Sequence, residues 1–342
     1  MQRFKKILLV CDNDTVHSAL ITRAVWLAEK NSAHVTLVDI VDTAPGELAR
    51  LFSALPGRGG ADLAHELEEF HRERLSGIAE SFSEKGVKTT KVVLQGIAFI
   101  EIIKLVLNED HDLVMKGVAG GQTSSGLFFT SSDMHLLRKC PCPVWLMKKT
   151  KRRQYARVLA AVDPDPTEKS RHALNTLIMD LATSLSEADE SELLVVNAWD
   201  FHAESTLRHS GFLKMQREAV DKLARAERVK NKAALETLLE GYPGLDWKKQ
   251  VHLIKGDPRK AVPEFARKKR AEIVVMGTVG RTGIQGFFIG NTAEEILNQV
   301  ECSVLAVKPP GFQTPVPDEP AAASYIDAKP LPAIGTKPRS ED

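Results

Sequence analysis

The sequence predicts two tandem α/β domains, each built on a parallel, doubly wound sheet. Two observations carry this expectation. The first is an internal repeat. Laying Gly117 on Gly277 brings Gly96, Gly120 and Gly126 onto Gly256, Gly280 and Gly286 at one constant offset. The same offset places Leu113-Val114-Met115 on Ile273-Val274-Val275 and Cys142-Pro143-Val144 on Cys302-Ser303-Val304. A repeat this long is a whole domain rather than a solenoid unit. The second observation is the alternation, within each copy, of short apolar runs with longer helical patterns. Such alternation is the pattern of a parallel sheet covered by helices.

The elements follow in order. Each copy opens on an apolar run ending in Asp, Ile7 to Asp12 and Val158 to Asp163, as buried parallel strands read. Helical patterns follow at Ala19–Glu29 and Arg171–Leu181, then second strands at Val35–Ile40 and Leu193–Ala198. Long charged helices are expected over Leu63–Glu84 and Phe212–Glu240, and third strands at Val87–Leu94 and Trp247–Ile254. Gly96 and Gly256 each introduce another helix, and Asp257-Pro258 reads as an N-cap followed by proline in the first helical position. Asp112–Met115 and Glu272–Met276 are fourth strands, and Val144–Met147 and Val304–Val307 the last. The expected domains are 1–148 and 156–308, joined by a basic linker over 149–155. From 309 to 342 the chain is rich in Pro, Ala and acidic residues without a period, the composition of a disordered tail.

Composition bounds the function. Apolar residues make up 43% and charged residues 27%, the balance of a soluble globular protein, and the net charge is +1. That charge argues against a nucleic-acid partner or an anionic membrane. The longest apolar stretch, Ile97 to Leu107, is broken by Glu101 and Lys104 and is too short for the roughly 20 residues of a membrane span. No signal peptide is read at Met1, so a cytoplasmic location is the expectation. Cys140-Pro141-Cys142 lacks the second Cys/His pair of a zinc site, and the histidines form no HExxH pattern. No Walker A sequence and no Gly-x-Ser-x-Gly elbow is present.

The candidate site lies where ligands bind in open α/β sheets, beyond the carboxyl ends of the strands. Asp163 ends the first strand of the second copy, and Met276-Gly277 ends its fourth. Gly280, Arg281 and Gly290 follow, then Asn291 and Thr292, either of which has a Glu three residues on, as in a capping box. A helix start offering free N–H groups suits phosphate. Spacing alone equally allows a tight strand–helix connection.

The complete pattern, Gly277-x2-Gly280-x9-Gly290 after a strand ending in Met-Gly, resembles the nucleotide-binding signature of universal stress proteins. The run Thr130 to Pro141 is similar to the first domain of the long tandem, E-type members. The resemblance implies an α/β sandwich with a five-stranded parallel sheet, Rossmann-like and related to the adenine nucleotide alpha-hydrolases. It implies ATP, with Mg accompanying it, held in the second domain. Asp163 and a backbone position at Ala198 would meet adenine and ribose; Met276, Gly277, Gly280, Arg281, Gly290, Asn291 and Thr292 would hold ribose and phosphates. Asn291 departs from the Ser or Thr usual after the last glycine.

The first copy departs further, with Thr130 in place of Gly290 and Gly121 in place of Arg281. Asp133 falls at the start of the following helix, where a carboxylate satisfies the positive helix end itself. The first domain is therefore expected to bind ATP weakly or not at all, serving as structure or as holder of an apolar ligand. The resulting reading is a stress-response protein with one nucleotide-binding regulatory domain. The alternatives are a ligand-independent scaffold and a slow ATPase or autophosphorylating enzyme. Protein partners are expected at the last-strand edges, around Trp145 and Leu305, with the copies forming an internal pseudo-dimer and further dimerisation open.

Overall fold

The computed structural model describes residues 4–12, 15–41, 60–118, 122–123, 126–127, 129–150, 154–201, 203–209, 217–279 and 290–326. The chain divides into two compact units. Unit 1 comprises Met1–Ala119, Thr130–Arg153 and Thr314–Asp342, and unit 2 comprises Gly120–Phe129 and Gln154–Gln313.

Unit 1 contains β1 (Lys6–Val10), α1 (Ser18–Asn31), β2 (His34–Val41), α2 (Gly60–Ser83), β3 (Thr89–Gln95), α3 (Ala98–Glu109) and β4 (Leu113–Gly117). A short hairpin, β5 (Gln122–Thr123) with β6 (Gly126–Leu127), falls in unit 2, and α4 (Ser131–Lys139) and β7 (Val144–Met147) follow in unit 1. The sheet order in unit 1 is β7-β4-β1-β2-β3, all parallel. Ile7 to Val10 and Leu113 to Met115 are fully buried, because a parallel sheet covered on both faces has no solvent side.

Unit 2 repeats the plan with β8 (Arg157–Ala161), α5 (Lys169–Asp189), β9 (Glu192–Trp199), α6 (Glu204–His209), α7 (Arg217–Leu239), α8 (Trp247–Gln250), β10 (Val251–Lys255), α9 (Pro258–Lys269), β11 (Ile273–Gly277), α10 (Asn291–Leu297) and β12 (Ser303–Val307). The order is β10-β9-β8-β11-β12, again parallel. In both units the chain moves outward from the first strand, then crosses back to its other side. The reversal falls between the first and fourth strands, β8 and β11 in unit 2, and such a switch point opens a crevice at the carboxyl ends.

The two copies use the same local devices. Helices α1, α3, α5 and α9 all stop at a left-handed residue that is not glycine: Ser32, Asp110, Glu190 and Arg270. Gly96 and Gly256 sit at φ 135° and 149°, a backbone region that side-chain-bearing residues rarely adopt, and this explains one matched glycine pair of the repeat. Asp257 caps α9, accepting from the Arg259 amide at 3.0 Å, with Pro258 in the first helical turn as expected.

Two expectations need correction. The third strand of unit 2 begins at Val251 rather than Trp247, because Asp246 caps a helical turn by accepting from the Lys248 amide at 2.9 Å and the Lys249 amide at 3.3 Å. The segment after 309 is also not disordered throughout. Residues 323–325 form β13 (Ala323–Tyr325), which pairs antiparallel with the outer edge of β3 in unit 1. Its order comes from main-chain pairing to an exposed strand edge, which composition does not encode. Residues 327–342 lie outside the described residues.

Candidate functional site

The switch point of unit 2 brings several expected residues together. Ala161, the last residue of β8, is in register with Met276 on one side and Val196 on the other. The Val162 amide donates to the Val196 carbonyl at 3.0 Å, which sets Asp163 between the ends of β11 and β9. Asp163 is then fixed by its own backbone. Its amide donates to Asn175 Oδ1 at 2.7 Å, and its carbonyl accepts from Asn175 Nδ2 at 3.0 Å. The carboxylate pairs with Arg171, which also reaches Asp165 at 3.1 Å, and 43% of the Asp163 side chain remains exposed. Ala198 and Met276 point into the core, so only their backbones are on offer to a ligand.

Gly277 has a packing reason of its own. A Cβ there would stand 2.8 Å from Leu174 Cδ2 of α5, so the missing side chain makes room for that helix. The α10 start is different. Gly290 is the N-cap, its amide donates to the Thr278 carbonyl at 2.9 Å, and among the described residues no side chain caps the helix. Asn291 and Thr292 therefore lie inside the first turn, contrary to the capping role the sequence suggested. The physical reason is that the strand–helix connection ends one residue earlier than the capping-box spacing implies. Gly280 and Arg281 lie outside the described residues.

The counterpart in unit 1 is closed by the chain itself. Thr130, at the place of Gly290, caps α4: its Oγ1 accepts from the Asp133 amide at 3.2 Å, while Asp133 Oδ2 accepts from the Thr130 amide at 2.8 Å. Lys116, at the place of Met276, is buried and sends its ammonium to Asp133 Oδ1 at 3.0 Å and Asp12 Oδ2 at 3.3 Å. A Cβ on Gly117 would fall 1.9 Å from the Thr15 carbonyl, so the β1–α1 loop lies directly against the end of β4. The carboxylate cap and the internal cation together fill the place where unit 2 has Gly290 as its N-cap.

Three further groups were not legible as site residues. Asn197 is buried at the end of β9 and donates from Nδ2 to the Val162 carbonyl at 3.0 Å. Asp39 holds its place in unit 1, bound to His71 and Arg74, and Arg74 donates to the Cys11 carbonyl at 2.7 Å. Both units thus tie the carbonyl after the first strand to the end of the second, one by a neutral amide and one by an ion pair. Lys308 donates to the Thr278 hydroxyl beside Gly290. A lone polar residue in an apolar strand, as in Val195-Val196-Asn197 or Val38-Asp39-Ile40, was the available signal for the first two. Among the described residues no group of three or more His, Cys, Asp or Glu side chains is placed to hold a metal ion, and no helix is long and apolar enough to cross a membrane.

Comparison with known proteins decides the lineage. Residues 3–148 and 154–308 each match the Universal stress protein family. The chain belongs to that family. It is 33% identical over 240 residues to Universal stress protein E of Salmonella typhi, covering 70% of this chain and 74% of that one. With Universal stress protein E of Photorhabdus laumondii the identity is 27% over 331 residues, covering 92% and 98%. Among solved structures, a functionally unknown protein from Pseudomonas aeruginosa PAO1 superposes with a TM-score of 0.65 at 25% identity, covering 90% of this chain and 94% of that one. A universal stress protein from Archaeoglobus fulgidus shares the fold, with a TM-score of 0.57 at 17% identity over 88% and 98%. The chain is thus a tandem universal stress protein resembling the E type over most of its length.

Proposed function

We propose that unit 2 is an adenine-nucleotide-binding regulatory module and that unit 1 is its non-binding counterpart, in a protein whose family implies a role in stress response. The observation that carries this reading is the contrast at the two helix starts. Gly290 brings no side chain of its own to cap the first amides of α10, whereas Thr130, Asp133 and Lys116 close the matching place in unit 1. The first-turn amides at Asn291 and Thr292 suit phosphate oxygens. The exposed part of the Asp163 carboxylate suits the hydroxyls of a ribose, and backbone groups at Ala198 suit an adenine edge. ATP is the nucleotide proposed, with magnesium entering on its phosphates.

These residues bind and orient; the reading assigns them no bond-breaking step. Arg171 holds the Asp163 carboxylate in place, so its role is positioning. Isothermal titration of ATP into the parent, Gly290→Ala and Asp163→Ala tests the assignment. Loss of binding in the variants supports it, and unchanged affinity in both removes the site. Native mass spectrometry of the purified chain separates a nucleotide module from a ligand-free scaffold by the mass it carries.

A further inference from the structure

The geometry points to a peptide-binding groove in unit 1, lying between the outer edge of β3 and one face of α3, with residues 319–326 as its resident occupant. The segment enters as an added strand. Ala323, Ser324 and Tyr325 are in antiparallel register with Leu94, Val93 and Val92. The Gln95 amide donates to the Ala322 carbonyl at 2.9 Å, and the Ile326 amide donates to the Lys91 carbonyl at 3.0 Å. Strand addition of this kind derives affinity from main-chain pairing and leaves selectivity to the flanking side chains.

Those side chains come from α3, spaced so that they share one helical face. Asn108 grips the backbone at two points: its Oδ1 accepts from the Ala321 amide at 2.9 Å and its Nδ2 donates to the Glu319 carbonyl at 3.3 Å. Glu101, itself buried, accepts the Ala322 amide on Oε2 at 2.7 Å. Lys104 bridges Glu101 Oε1 and Glu319 Oε2, each at 3.4 Å. Tyr325 donates its phenol to Glu109 Oε1 at 2.6 Å. The occupant's chemistry follows: an extended segment with a carboxylate, then small residues, then a phenol six positions beyond the carboxylate.

The groove is particular to unit 1. The residues matching Glu101, Lys104, Asn108 and Glu109 in unit 2 are Ala261, Glu264, Lys268 and Lys269. That set lacks the buried acceptor for a backbone amide and the two-point amide grip, and it reverses the charge facing Glu319. The paired grip on backbone groups by Asn108, together with a buried carboxylate that gives one oxygen to a peptide N–H and the other to Lys104, is construction for binding an extended chain rather than for packing a helix.

The test uses the full chain. Ala322→Pro removes the amide that Glu101 accepts, and Ser324→Pro adds a strand breaker, so the double variant detaches the resident segment and leaves every groove residue in place. A fluorescein-labelled peptide of residues 314–330 is then titrated and read by anisotropy. Saturable binding to the double variant, at least tenfold tighter than to the parent, is expected, because a tethered segment competes at an effective concentration of about millimolar. Adding Asn108→Ala to the double variant should abolish peptide binding while leaving the far-ultraviolet circular dichroism unchanged. No binding to the double variant, or binding indifferent to Asn108→Ala, overturns the groove. A parent dimer that the double variant dissolves overturns the assignment of the segment to its own chain and gives the seat to a second copy.

Discussion

Replacing Lys116 by Met converts unit 1 to the residue that unit 2 carries at this place, and the outcome tests whether the first site is closed by charge. The Lys116 side chain is only 6% exposed, and its strongest partner, Asp133, is fully buried. Removing one member of a buried ion pair strands the other, at a cost of about 3–5 kcal/mol. For a domain of this size that lowers the thermal midpoint by on the order of 10 °C. Asp133→Ala should cost a comparable amount, with about 1 kcal/mol more from the lost cap of α4. The double variant Lys116→Met/Asp133→Ala restores the apolar pair Met276 and Ala293 of unit 2, so its loss should be far below the sum of the two. A coupling of at least about 2 kcal/mol is expected from residues in direct contact. Urea unfolding followed by tryptophan fluorescence reads this in a background where Trp199 and Trp247 of unit 2 are Phe, leaving Trp26 and Trp145 as reporters of unit 1. Strict additivity would refute the claim that Lys116 and Asp133 act as one closed group.

Three other outcomes follow. Gly290→Thr gives α10 the side-chain cap of its counterpart; stability should hold or rise by a few tenths of a kcal/mol, while ATP affinity by titration calorimetry falls at least tenfold. His111, buried against Thr36 Oγ1 at 2.8 Å, is depressed to about 4 chiefly by its burial, although the Leu105 carbonyl opposes this. Its proton is bound in the unfolded chain and excluded from the folded one between about 6.5 and 4, so stability is full above that window and falls as pH drops through it. About 3 kcal/mol is at stake, and His111→Gln should flatten that part of the urea-midpoint profile relative to the parent. Burial pushes the Cys11 thiol well above its ordinary range, so iodoacetamide at pH 8 should leave Cys11 unmodified in the folded protein and label it in urea, as read by peptide mass spectrometry.

What the sequence discloses and what it withholds divide along physical lines. The first and fourth strand ends and the duplicated glycines are set by local backbone chemistry, so Asp163, Gly277 and Thr130 could be placed along the chain from their neighbours alone, whereas the cap of α10 could not. The capping of α4 by Thr130 and Asp133 is likewise a local motif. Lys116 was hidden because it closes an apolar strand and gains its meaning only from Asp12 and Asp133, which the fold brings to it. Arg171 and Asn175 were hidden for the same reason: their contacts with Asp163 depend on how α5 leans over the end of β8. The role of Gly277 was legible as a need for glycine, but its partner, Leu174, was not. The docked segment at 319–326 escaped because main-chain pairing to an edge strand leaves almost no mark on composition.

That segment also gives the chain an order of completion. The strand that closes the β3 edge of unit 1 is encoded after the whole of unit 2, so a nascent chain exposes that edge while it makes everything from Gln95 to Ala323. At about 5–20 residues per second the interval is on the order of ten seconds or more. A premature stop, a clipped terminus or a fusion placed near residue 320 would therefore register first in the unit made earliest.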